Sequence, residues 1–240
     1  MKPIYEPRGK AKEYCDLAIN IYTGCNHGCV YCYAPRVLHR TREQFAAVEP
    51  RKGLVDALKK QLVTENIKGR EIQLCFTCDP YPADIDTSVT REVIEAIKNS
   101  GNNVRILTKG GNRALRDFDL LDSEDWFGIT LTWNVDSEPN AASSAERYAT
   151  IKEAHNRKIK TWVSFEPVYS PQMIYHYIEY ADAIDMFKIG KLNYAPSDID
   201  WSAFGHECER LCKEYGRNYY IKEDLRKLMH PELLEKGEAE

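Results

Sequence analysis

Residues 71–108 read EIQLCFTCDPYPADIDTSVTREVIEAIKNSGNNVRILT, and the fold is decided there. Glu71 to Thr77 is a short run rich in Ile, Leu, Phe and Thr, the composition of a strand. Ser88 to Asn99 places Val93, Ile94 and Ile97 on one helical face, takes Ser88 as its expected cap, and stops before Ser100-Gly101. Asn103 to Thr108 returns to strand character. Strand, helix and strand in that order predict two parallel strands joined by a right-handed crossover.

Outward from this unit the alternation repeats. Strands are predicted at Leu17 to Tyr22, Trp126 to Thr132, Lys160 to Phe165 and Ile184 to Ile189, with a short seventh at Asn218 to Ile221. Helices are predicted at Gly53 to Glu65, Ala142 to Arg157, Gln172 to Tyr180, Trp201 to Tyr215 and Lys222 to Leu234. About six strand–helix repeats predict an α/β fold, a partial (βα)6-type TIM-like barrel. A doubly wound open sheet is the rival, because periodicity does not decide closure. At 240 residues the expectation is a single domain over residues 1–240. Its core would span about residues 15–222, followed by a C-terminal helix and a frayed tail over about 223–240.

Hydrophobic residues make up 43% of the chain and charged residues 29%, which supports a real core. A net charge of -4 gives no general attraction to nucleic acid and leaves only a local basic groove for such a partner. The N-terminus lacks the apolar segment of a secretory signal, and no apolar run approaches the ~20 residues that span a bilayer. The expectation is a cytoplasmic chain with no membrane partner. In that compartment the eight cysteines point to a metal or reactive site before a disulfide framework.

Three of them sit in Tyr22-Thr23-Gly24-Cys25-Asn26-His27-Gly28-Cys29-Val30-Tyr31-Cys32-Tyr33-Ala34-Pro35. The spacing is C-x₃-C-x₂-C, with Gly24 and Gly28 permitting tight wrapping. A 4Fe-4S cube needs an outer ligand on each iron, so three thiolates leave one iron open to a non-protein ligand. Structural zinc is the competing reading, with His27 or Cys15 as fourth ligand. An electron-transfer cluster wants a fourth cysteine, and none follows at ferredoxin-like spacing. A trio of merely buried cysteines is the plain alternative.

This motif, with an aromatic before the third cysteine and placed after the first strand of an α/β chain, resembles the radical S-adenosylmethionine superfamily. The longer string resembles its spore photoproduct lyase-like, or DNA repair photolyase-like, branch. Thr77-Cys78-Asp79-Pro80-Tyr81-Pro82, Leu107-Thr108-Lys109, Phe165-Glu166-Pro167 and Lys188-Ile189-Gly190 follow in order, so the resemblance reaches about residue 222. It implies a 4Fe-4S cluster on Cys25, Cys29 and Cys32, with S-adenosyl-L-methionine chelated at the open iron. An electron from a donor such as a flavodoxin or ferredoxin would cleave the cofactor, and the 5′-deoxyadenosyl radical would take hydrogen from the substrate. The implied substrate is a DNA lesion, with RNA or a peptide as rivals. A non-catalytic zinc- or cluster-binding module is the alternative from another class.

Strand alternation groups Gln73, Cys75, Thr77 and Asp79 on one face, Thr130, Thr132 and Asn134 on another, and Ser164 with Glu166 on a third. Such polar sets suit a lumen that admits a cofactor; solvated strand ends are the plain alternative. By resemblance, Asp79 would meet the cofactor's methionine group, although Cys78-Asp79-Pro80 departs from the common Gly-Gly-Glu. Tyr31 would lie near the adenine. Thr108, Thr132 and Glu166 are candidate ribose or substrate contacts. Lys109, Lys188 and Lys191 stand where they can meet a carboxylate or phosphate. Lyases of this branch return a hydrogen atom from a cysteine near the second strand, with tyrosines as relays, which makes Cys75 the candidate catalytic residue and Cys78 its neighbour. Neither cysteine's spacing from Asp79 matches the lyase pattern. Cys208 and Cys212, four apart on one helix, read as packing before metal binding.

Overall fold

The computed structural model describes residues 2–193 and 195–230. The expected frayed tail and the end of the last predicted helix, residues 231–234, lie outside the described residues. Seven strands stand side by side in chain order: β1 (Leu17–Ile19), β2 (Glu71–Leu74), β3 (Asn103–Thr108), β4 (Trp126–Thr130), β5 (Lys160–Phe165), β6 (Met186–Ile189) and β7 (Tyr219–Ile221). Every neighbouring pair is parallel. Strict chain order has no switch point, which removes the doubly wound alternative. β1 and β7 remain edges, so the sheet is an unclosed, partial TIM-like barrel.

The helices are α1 (Ala34–Val37), α2 (Arg42–Ala46), α3 (Leu54–Thr64), α4 (Ser88–Asn99), α5 (Ser144–Asn156), α6 (Pro171–Tyr180), α7 (Trp201–Glu214) and α8 (Glu223–Met229). None among the described residues is long and apolar enough to cross a membrane. The β3–β4 link carries a 3₁₀ stretch, Gly111–Leu120, to which the sequence pattern assigns no element. It buries Gly111, Ala114, Asp117 and Phe118, a spacing of three that hides from a search for period 3.6. Ser88 is not the cap of α4: Thr87 is, and Ser88 opens the helix with its N–H and hydroxyl both donating to Asp86.

Strand alternation separates two environments. Ile72, Leu74, Val104, Ile106, Phe127, Ile129, Val163, Phe165, Phe187 and Ile189 are fully buried in one core, each contributing about 1.5–3 kcal/mol. The intervening positions are mostly polar or large, Gly128 giving room to the Trp162 ring. Arg105 pairs with Glu71 and lies over the Trp126 and Trp162 rings, and Lys188 lies over Trp162 in turn. The barrel interior therefore carries polar side chains at β2, where the alternation predicts them, and also at β3 and β6, for which it predicts no polar set.

The alternation fails at two strand ends. β2 stops at Leu74 because Cys75 takes φ +62°, a left-handed geometry in which the pleat cannot continue. Gln73, Cys75, Thr77 and Asp79 consequently do not share one strand face. β4 stops at Thr130, and Trp133 takes φ +56°. Thr132 and Asn134 are not strand residues.

Residues 5–14 fill the seam between β1 and β7. Tyr5 bridges antiparallel to Ala18 on the free edge of β1. Glu13 reaches the other edge, where its Oε2 accepts from the Tyr220 hydroxyl at 3.2 Å and the Glu223 N–H at 3.0 Å. An open edge is thereby covered by the chain's own N-terminal segment.

Candidate functional site

The loop after β1 is shaped by its glycines and pinned by neighbours. A Cβ on Gly24 would run into the Phe45 carbonyl oxygen, and Gly28 has φ +72°. The Cys25 N–H donates to Phe45 O at 2.9 Å, so α2 braces the loop from behind. Asn26 exchanges two bonds with the Ala83 backbone, at 2.6 and 2.9 Å. Arg42 grips the carbonyls of Cys29 at 3.0 Å and Val30 at 2.5 Å. Cys29 is buried, while Cys25 and Cys32 are half-buried.

Burial pushes the Cys25 and Cys29 thiols up, and each also feels a neighbouring cysteine of the trio. Among the described residues no three His, Cys, Asp or Glu side chains converge on one point as a single ion requires. A 4Fe-4S cube binds its thiolates at separate irons, so its donors stand apart around it. The donor set, three thiols on one braced loop, fits that group. The zinc alternative called on His27 or Cys15. His27 Nε2 accepts from Arg113 at 2.9 Å and its Nδ1 faces Asp79 at 3.6 Å, so both ring nitrogens already have protein partners. Burial keeps this ring below its usual pKa. Cys15 lies among Arg105, Gln73 and Lys188, inside the barrel.

Beside the loop, at the C-terminal ends of the strands, is a cavity of about 620 Å³. Tyr31, Cys75, Asp79, Thr108 and Glu166 all line it, so five predicted site residues share one space. Lys109, Thr130 and Ser164 line it too. Tyr31 and Tyr33 form the wall on the cysteine-loop side, and the three cysteines themselves are not lining residues. Thr132 is not among the lining residues; it is buried with an unpartnered hydroxyl. Lys188 and Lys191 point elsewhere: Lys188 Nζ donates to Glu13 O at 2.8 Å and Lys191 Nζ to Leu192 O at 3.4 Å.

Asp79 is heavily engaged. Its Oδ1 accepts from the Tyr81 N–H at 2.8 Å and the Thr108 hydroxyl at 2.6 Å, and its Oδ2 from the Lys109 N–H at 2.9 Å. Burial raises the carboxyl, but the His27 ring and these bonds outweigh it and hold the pKa below the usual range. The group is a brace between β2 and β3 as much as a binding carboxylate. Thr77 also lines the cavity, and its Oγ1 is buried with no protein partner.

Cys75 and Cys78 both line the cavity and their thiols meet. Burial pushes both up; at Cys78, hydrogen bonds from Cys75 and from the Tyr22 N–H, 3.4 Å away, outweigh it and lower the pKa. Cys208 and Cys212 are fully buried in α7, as packing requires.

On the opposite wall, sequence reasoning found Ser164 and Glu166 but missed their partners. Glu166 Oε2 pairs with Lys222 Nζ, and its Oε1 accepts from Asn193 Nδ2 at 2.7 Å. Lys222 also donates to the Tyr14 hydroxyl at 3.0 Å, which lies 3.2 Å from Ser164 Oγ. Tyr14, Asn193 and Lys222 come from distant stretches of the chain, and no local motif joins them. Only the position of Lys222 just past a predicted strand hinted at a site.

Comparison with known proteins agrees with this architecture. Uncharacterized protein MJ0683 of Methanocaldococcus jannaschii is 28% identical over 177 residues, covering 70% of this chain and 64% of that protein. Uncharacterized protein ORF301 of Acidianus two-tailed virus is 27% identical over 189 residues, covering 70% and 62%. The chain thus spans less than two thirds of the curated relatives it matches. Among solved structures, spore photoproduct lyase complexed with dinucleoside spore photoproduct superposes with a TM-score of 0.67 at 14% identity, covering 90% of this chain and 79% of that one. Streptococcus suis SuiB bound to precursor peptide SuiA gives 0.63 at 14%, covering 90% and 51%. The resemblance to the radical S-adenosylmethionine superfamily therefore holds at the level of the fold. Residues 10–219 match the family described as Protein of unknown function (DUF5131), and the chain belongs to that family.

Proposed function

We propose that this chain is a radical S-adenosylmethionine enzyme that holds a 4Fe-4S cluster on Cys25, Cys29 and Cys32. One observation carries the reading: a braced three-thiol loop stands at the C-terminal mouth of an unclosed parallel barrel, beside a cavity walled by Asp79, Thr108 and Glu166. Reductive cleavage of S-adenosylmethionine to a 5′-deoxyadenosyl radical is the chemistry that such a cluster supplies when bound. The chain's own residues bind and orient. Tyr31 offers a ring face to the adenine, and Thr77, Thr108 and Glu166 offer oxygens to the sugar and amino groups. Tyr33 and the segment Tyr5 to Tyr14 screen the cavity from water. Cys75 is the hydrogen donor in this reading, with Cys78 beside it. The reductant is a flavodoxin or ferredoxin, and the compartment is the cytoplasm.

The substrate in this reading is a nucleic-acid lesion. The fold's likeness to a spore photoproduct lyase solved with a dinucleoside spore photoproduct supports it. So does charge: residues 1–42, which include the cavity-lining Arg8 and Lys10, carry seven Lys and Arg against three Asp and Glu, whereas residues 43–240 carry 26 against 34. The test is anaerobic reconstitution with iron and sulfide, reduction, and an assay for 5′-deoxyadenosine with and without a dinucleoside photoproduct. Product that disappears in Cys25→Ala, Cys29→Ala and Cys32→Ala sustains the enzyme. A full cluster spectrum surviving any of these substitutions ends the assignment. Turnover stimulated by RNA or a peptide and not by the photoproduct would move the substrate class.

A further inference from the structure

Segment 137–140, between β4 and α5, is tied to the cysteine loop at several points. The Val30 N–H donates to Ser137 O at 2.9 Å, the Asn140 N–H to His27 O at 3.1 Å, and Asn140 Nδ2 to Asn26 O at 2.9 Å. In the middle of this segment is Glu138, only 5% exposed. Its Oε1 accepts the hydroxyl proton of Tyr31, which stands in the chain between Cys29 and Cys32. Its Oε2 accepts from Arg147 Nη2 at 2.5 Å. Arg147, 2% exposed, reaches from α5 with two further bonds, to Ala142 O at 2.7 Å and to Thr130 O at 2.8 Å at the end of β4. Lys109, from the end of β3, stands over the Tyr31 ring at 5.6 Å.

We infer that Glu138 is a positioning residue for the cysteine loop, acting through the Tyr31 hydroxyl to set the side chains of Cys29 and Cys32. A buried ion pair kept only for stability is a poor device, since apolar replacements of equal volume commonly do as well or better. Arg147 already links α5 to β4 through the Thr130 carbonyl without any carboxylate. What Glu138 adds is the hydrogen bond to Tyr31, the side chain shared by the loop and the cavity wall. A chain of Arg147, Glu138 and Tyr31 thus carries the rigidity of β4 and α5 to the space between two proposed cluster ligands. The consequence for cluster binding rests on the function proposed above; the positioning of the thiols does not.

Residue-resolved alkylation of the reduced, metal-free chain, read by mass spectrometry, tests it. Tyr31→Phe removes the hydroxyl and leaves the ion pair; Glu138→Gln removes the charge. Each variant is expected to raise the alkylation rates of Cys29 and Cys32 about fivefold or more, the opening that one lost hydrogen bond allows, while Cys208 and Cys212 keep their rates. The double variant should be no faster than Glu138→Gln alone, because both act on one link. Unchanged rates at Cys29 and Cys32 in Tyr31→Phe overturn the inference, as does an equal rise at Cys208 and Cys212, which signals general loosening. Additive effects overturn it as well. In the reconstituted chain both variants should lose iron to a chelator faster than wild type. Should the wild-type chain take up no cluster, the proposed function falls while alkylation still decides the role of Glu138.

Discussion

Where the cysteine loop forms one side of the cavity, the bonds that hold it run mainly to backbone. Asn26 clasps Ala83, Arg42 grips the carbonyls of Cys29 and Val30, and Asp79 takes the N–H groups of Tyr81 and Lys109. Across the cavity the bonds join side chain to side chain. Tyr14, Ser164, Glu166, Asn193 and Lys222 meet there, and Tyr14 arrives on the segment that fills the β1–β7 seam. A wall anchored mainly on backbone keeps most of its shape when one charge changes, the Glu138 link to Tyr31 being a charged tie within it. A wall made of paired side chains changes when one charge changes or when the seam segment lifts. The first suits a resident cofactor, and the second suits a substrate that must come and go.

The largest expected effect lies on the second wall. Lys222 is 4% exposed, and replacing it with Met leaves Glu166 beside Tyr14 and Asn193 without a cation. Lys222→Met is expected to cost about 3 kcal/mol in denaturant unfolding, and adding Glu166→Gln should recover most of it. If the single substitution costs under about 1 kcal/mol, the two walls do not differ in this way.

A pH effect of similar size belongs to the barrel interior beneath that wall. Burial, aided by Arg105 and Lys222, lowers the Lys188 pKa to about 8, although Cys15 and Glu71 pull the other way. Between pH 8 and the ordinary lysine value the unfolded chain carries a proton that the folded chain has released. Stability should therefore rise with pH across that window, by up to roughly 3 kcal/mol, and lie flat below pH 8 as far as this group is concerned. Unfolding of Lys188→Met at pH 7 to 10 should lack that rise. A wild-type curve that matches the variant's would show Lys188 charged at its usual strength in the fold.

On the cysteine-loop wall, Asp79→Asn keeps the shape and turns one acceptor into a donor facing the Lys109 N–H. The expected cost is about 2 kcal/mol, read from the same denaturant curves. This residue also shows how far the sequence reaches. β3 and β5 match their predicted limits because their apolar alternation persists to the last residue. The predicted β2 and β4 run too long because nothing in a composition marks Cys75 or Trp133 as left-handed. Asp79, Thr108 and Glu166 were legible as polar groups at strand ends. The partners of Glu166 were not: Tyr14, Asn193 and Lys222 reach it only through the tertiary fold, as Arg147 reaches Glu138. α2 could have been found, since Thr41 and Gln44 form a capping box that stands in the sequence.

The smallest effect separates the walls most cleanly. Glu13→Gln weakens the bonds that carry the seam segment onto β7 and α8, through the Tyr220 hydroxyl and the Glu223 N–H. Gln keeps an acceptor oxygen there and loses only the charge, a cost of about 1 kcal/mol, so global stability should hardly move. Hydrogen exchange resolves what unfolding curves do not, because local opening needs less free energy than unfolding the whole chain. In Glu13→Gln, amides of residues 5–14 should exchange several-fold faster, while those of residues 25–31, anchored on Phe45, Ala83 and Ser137, keep their wild-type rates. Faster exchange in both segments would mean that the seam supports the cysteine loop, and that the cavity opens as one unit instead of along one wall.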